Sequence, residues 1–195
     1  MRQTRELALV ILVPLALLAA GCGSKKASTP TIHVLPNAKT PEEWAGRIVN
    51  RLMRPLNRDL EVLTALNNPQ TKFFILQGNK DTLDVLNRRM TDLGKCSDRL
   101  TKIGPPPQTA ADTAQLNRVD AALRRACLHY VKVADGVLDA VELMSSGRAD
   151  VIERGEGKLR EAGPEAGTAA TAYDEAVRIA QKLDEFRLQG LKPPA

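Results

Sequence analysis

Three cysteines and two histidines carry all the thiol and imidazole chemistry of this 195-residue chain, and their surroundings decide what they can do. Cys22 stands in "LLAAGCGS" (17–24), between two glycines and after an apolar run. A thiolate there is a nucleophile that a modifying enzyme can approach closely. Cys127-Leu128-His129 places a thiol and an imidazole two residues apart, and on a helix such side chains point to different faces. His33 has no neighbour able to complete a metal site. The sequence has no Glu-x-x-His pair of the kind that builds carboxylate-bridged metal sites in helical bundles, no Cys-x-x-Cys-His haem site and no Gly-rich phosphate loop. The plentiful carboxylates fall on polar faces, where solvation accounts for them. These absences point away from an enzyme, a metal protein or a cofactor carrier.

The residues before Cys22 explain its place. Arg2 and Arg5 open the chain, and Leu7 to Ala20 is uncharged and rich in Leu, Val and Ala. A positive start, an apolar stretch and a small-residue end are the parts of a secretory signal. The stretch falls short of the roughly 20 residues that a spanning helix needs, and Pro14 interrupts it. Leu18-Ala19-Ala20-Gly21-Cys22 resembles the lipobox of bacterial lipoproteins. That resemblance implies a signal peptide over 1–21, diacylglycerol on the Cys22 sulfur, cleavage before Cys22, and acylation (palmitate or a similar chain) of the new amine. Stable anchoring needs two or more acyl chains, so the implied location is the extracytoplasmic side of the cell membrane. Gly23 rather than Asp follows the cysteine, which in a two-membrane cell implies outer-membrane sorting.

Without residues 1–21 the chain keeps 26 basic and 22 acidic residues, net +4. That charge is well mixed in sign. Aromatic residues are 3% of the chain, too few for base-stacking platforms, so nucleic acid is not an expected partner. Residues 22–39 read as a lipidated cysteine and tether, rich in Gly, Ser, Thr, Pro and Lys, with an r.m.s. span of about 23 Å.

The domain itself is placed at 40–190, with 191–195 as a tail. Thr40-Pro41-Glu42-Glu43 is a capping box with proline at the first helical position. Apolar residues from Trp44 to Leu66 then keep helical spacing, with a kink expected at Pro55. Phe73–Leu76 reads as a short helical turn capping the core. Leu83 to Leu100 forms a second helix, ended by "GPPPQ" at 104–108. Leu116, Val119, Leu123, Ala126, Tyr130, Val133, Val137, Ala140 and Met144 step by threes and fours, the seam of a third helix. Asp150 and Glu153 suggest another capping box. Gly163-Pro164 is expected to divide the fourth helix, whose seam runs from Leu159 to Leu183. Its many alanines favour close packing; the other possibility is that they leave a groove for a ligand.

Four helical patterns with no strand pattern give the expected fold: all-α, an up-down four-helix bundle with kinked first and fourth helices. The layout is similar to that of small helical envelope lipoproteins of high-GC Gram-positive bacteria, a likeness that implies no activity. The functional expectation is a membrane-anchored, non-catalytic interaction or structural module that meets an envelope protein, wall polymer or anionic lipid. The alternative is a small-ligand-binding or sensor domain with a pocket in the bundle. Two features sharpen this. Cys96 and Cys127 lie on or beside the seams of successive helices. Five extended residues would carry the chain about 15 Å past helix 2, bringing the two cysteines level, so a disulfide is expected in an exported chain. Arg47, Arg51, Arg54 and Arg58 recur at steps of four, three and four, a stripe on helix 1 suited to an anionic partner.

Overall fold

The computed structural model describes residues 35–108 and 111–191, and among these it is helical without a strand. Cys22, His33 and the signal sequence lie outside the described residues.

The start signal at Thr40 works as its residue types require. Thr40 Oγ1 accepts from the Glu43 N–H at 3.2 Å, and Pro41 opens α1 (Pro41–Ile48). The Glu43 carboxylate reaches one residue further back than in the usual box, accepting from the Lys39 N–H at 2.9 Å. α1 runs without a break through a π-helical turn (Val49–Met53) into α2 (Arg54–Ala65). Pro55 is the cause we assign to that turn. Its ring collides with the carbonyl four residues back and it has no N–H to offer, and widening the preceding turn relieves both; the Arg54 N–H duly reaches the Val49 carbonyl.

Asn68-Pro69 begins a helix as well as ending one. Asn68 Oδ1 accepts from the Gln70 N–H at 2.9 Å and opens α3 (Pro69–Leu76), so the helical turn expected at 73–76 is the end of an eight-residue helix. The second helical pattern is two helices, α4 (Lys80–Gly94) and α5 (Cys96–Ile103), broken at Lys95. Gly104, at φ 81°, ends α5 in a conformation that side chains other than glycine rarely adopt.

α6 (Thr113–Met144) buries every seam residue expected of it, from Leu116 to Met144. α7 (Ala149–Ala180) differs from expectation at two places. It runs unbroken through Pro164, because Gly163 has no Cβ to clash with the proline ring and the affected backbone is on an exposed face where water can serve the Arg160 carbonyl. Its N-cap is Arg148 rather than a capping-box residue; Asp150 instead accepts from the Arg148 guanidinium at 3.1 Å. The helix stops at Ala180, and Leu183, the last residue of the expected seam, is buried where it opens a last turn, α8 (Asp184–Arg187).

α6 and α7 form the longest pairing, α4 and α5 lie along α6, and the first helix lies against α4 and α5. Both chain ends of the described part seal one end of this bundle. Phe186 of α8 meets Trp44 edge to face at 5.9 Å, both fully buried, and the Trp44 indole N–H donates to the Gly104 carbonyl at 3.0 Å. Ala38 is buried and the Leu35 N–H donates to the Lys102 carbonyl, so the described contacts start inside the stretch read as tether. Tyr173 ties α7 to the first helix by donating to Asn57 Oδ1 at 2.8 Å.

Candidate functional site

The four arginines of the first helix do not share one fate. Arg47 holds the incoming chain, donating to the Pro36 carbonyl and to Glu43 Oε1, each at 2.5 Å. The bond from the Lys39 N–H, and after it the one from Arg47, pull the Glu43 carboxyl below its ordinary range. Arg54, which also donates to Asn50 Oδ1 one turn back at 2.6 Å, holds the outgoing chain through the Gln189 carbonyl at 3.4 Å. Arg51 and Arg58 are exposed and pair with no carboxylate among the described residues.

Arg51 has other company. With Arg99 and Lys102 of α5, and the apolar Leu35 and Ile103, it lines a cavity of about 230 Å³. Three cations around so small a space repel one another, and among the described residues only Arg99 is balanced. Its guanidinium lies 3.1 Å from Asp59 and 3.8 Å from Asp92. Asp59, the sole buried charged residue among those described, is also 3.4 Å from Arg89. Burying a carboxylate is costly unless it is paired; here two guanidiniums from α4 and α5 clamp it against α2. The clamp holds Arg99 in place at the cavity wall. Among the described residues Arg51 and Lys102 have no counter-charge, so the cavity favours an anion.

Sequence reasoning singled out Arg51 and missed Arg99, Lys102 and Leu35. No one-dimensional signal would have found them, since they come together only when α5 folds back along the first helix.

Cys96 and Cys127 form a disulfide, with S–S at 2.06 Å and Cα atoms 5.1 Å apart. α6 opens at Thr113, beyond the "GPPPQ" stretch, and the cysteines come level. Both are buried, which makes the bridge structural rather than exchangeable. His129, two residues on, faces α7 instead: its Nδ1 is 2.5 Å from Glu165 Oε2, and Lys132 lies 3.4 Å from the other oxygen. The hydrogen bond to His129 is the main reason the Glu165 carboxyl is held below its ordinary range. Among the described residues no group of three His, Cys, Asp or Glu side chains is arranged to hold a metal ion, and no helix is long and apolar enough to cross a membrane.

A second concavity lies towards the other end of the molecule. Between α2–α3 and the first half of α7, over a floor of α6, a groove of about 460 Å³ is open to solvent. α7 thus does both things its small residues allow. At Gly155 it sits hard against α6, where an added Cβ would come within 2.9 Å of the Ala140 carbonyl. Further along it leaves space towards α2. No protein-family model matches the chain, and no curated protein or solved structure is significantly similar to it.

Proposed function

We propose that this chain is a lipid-anchored, non-catalytic module of the cell envelope, held through Cys22 on the extracytoplasmic side of the membrane, whose tether-proximal end binds anionic lipid head groups. The scaffold is read as an up-down four-helix bundle bent at Pro55 and Pro164. The observation that carries the reading is the cavity formed by Arg51, Arg99 and Lys102 beside Leu35. Leu35 is 13 residues from Cys22, so even fully extended chain cannot carry it more than about 45 Å from the anchor. Within that reach the cavity can touch the surface, where each charge gains about 1 kcal/mol against anionic lipid, an energy that falls off within a Debye length. The anchor supplies the local concentration that makes so small an energy sufficient to orient the domain.

The test uses the oxidised chain from residue 22 carrying Cys22→Ala, which keeps Leu35 and the buried Ala38 in place. It should float with phosphatidylglycerol vesicles at low salt and be released as salt rises, and should ignore phosphatidylcholine vesicles. Arg51→Gln with Lys102→Gln should abolish the flotation. Equal binding by the double variant, or no binding at low salt, overturns the reading; binding to wall phosphate polymer in preference to vesicles would transfer the same cavity to a different partner.

A further inference from the structure

We infer that the groove between α2–α3 and α7 is a binding site for a single-chain amphiphile with an anionic head, a site separate from the basic cavity. Its floor is Val133, Val137 and Met144 of α6; Leu63 and Leu66 form one wall, and Leu159, Ala162 and Ala166 the other. Three of these, Leu63, Leu159 and Ala166, belong to seams whose other members, Leu60 apart, are buried, yet they are only half-buried. The apolar pattern therefore runs on under the groove, and no described residue covers it.

Its dimensions suit a slender occupant. From Val133 to Met144 the floor extends about 16 Å at 1.5 Å per residue, and the groove holds about 460 Å³ over that length. One extended hydrocarbon chain fits. The volume also falls in the range of about 300–1,000 Å³ usual for small-ligand sites.

The rim supplies the polarity. Lys72 of α3 and Arg160 and Glu156 of α7 line it, all three exposed and none in an ion pair among the described residues. Glu156 and Arg160 lie one turn apart on the same helix without closing a salt bridge. Two cations against one carboxylate leave a net positive rim, which complements a carboxylate or similar acidic head and disfavours a cationic one.

Dodecanoate and dodecanol, titrated calorimetrically into the oxidised chain from residue 22 with Cys22→Ala, test this. Dodecanoate should bind saturably at one site. Ala166→Phe fills the groove without touching the rim and should weaken binding at least about tenfold, with the melting temperature confirming that the variant folds. Lys72→Gln with Arg160→Gln changes only exposed side chains. It should weaken dodecanoate about tenfold, as expected of two exposed charge contacts, and leave dodecanol unchanged. Absence of saturable binding, or Ala166→Phe without effect, overturns the site; equal loss for dodecanol and dodecanoate in the double variant overturns the anionic head.

Discussion

Gly155→Ala is the perturbation whose outcome the structure constrains most tightly. A Cβ at Gly155 would lie 2.7 Å from Met144 Cγ, 2.9 Å from the Ala140 carbonyl oxygen and 3.1 Å from the Met144 nitrogen. Carbon contacts are comfortable at about 3.5–4.0 Å. The Met144 side chain can turn aside, but the carbonyl and the amide nitrogen can retreat only if α6 moves. Overpacking of this kind costs about 1–3 kcal/mol, and replacing a mid-helix glycine returns up to about 1 kcal/mol in helix propensity. The net expectation is a loss of about 1–1.5 kcal/mol. Gly167 sits on the same helix with nothing within 4 Å of its added Cβ. Gly167→Ala should therefore gain up to about 1 kcal/mol. Urea unfolding of the two variants should put them on opposite sides of the parent, about 2 kcal/mol apart. By the scaling for domains of this size, that is a gap of about 4–8 °C in melting temperature. Adding Met144→Ala to Gly155→Ala should not rescue it, since the backbone contacts remain. If Gly155→Ala proves as stable as the parent, the close approach of α7 to α6 is wrong.

Reduction, or Cys96→Ala with Cys127→Ala, should cost about 3.7 kcal/mol by loop-closure entropy for a separation of 31 residues; unfolding curves with and without reductant measure it. Asp59→Asn should cost about 2 kcal/mol, because Arg89 and Arg99 lose the buried charge that they share. Tyr130 and Tyr173 are the chain's only tyrosines, and burial pushes the first up to about 12 and the second further up. Phenol is therefore favoured in the folded state: stability is fully present below the ordinary value of about 10 and is lost as pH rises from there towards 12. Absorbance at alkaline pH should show both phenols titrating late and together with unfolding; early titration of either would contradict their burial.

Much of the fold is legible wherever a local signal and a tertiary need coincide. Thr40-Pro41 starts a helix because the first orphan amides need an acceptor whatever lies beyond. The α6 seam is readable because that helix is covered along its whole length, so every step of three or four ends in burial. Legibility fails where the outcome depends on a neighbour. Pro164 reads as a break, yet an exposed backbone lets the helix continue. Asn68-Pro69 carries two messages, stop and start, and only the covering of Ile75 chooses the second. Phe186 gives no period at all; it is buried because Trp44 waits opposite it. The candidate sites divide in the same way. Cys96 and Cys127 follow from seam position and chain length, whereas the basic cavity needs α5 folded beside the first helix before Arg51 meets Arg99 and Lys102.

The orientation of the anchored domain is the most direct test of the proposed function. Leu83 of α4 lines a cleft with Ser145, while Lys102 comes 19 residues later along α4 and α5, about 28 Å further down the bundle. Fluorescent labels at exposed positions 101 and 146 of the lipidated chain therefore report on its two ends. In a phosphatidylglycerol bilayer carrying a head-group quencher, the label at 101 should be strongly quenched and the label at 146 spared, and Arg51→Gln with Lys102→Gln should remove that difference. Equal quenching at the two positions in the parent chain would contradict the account.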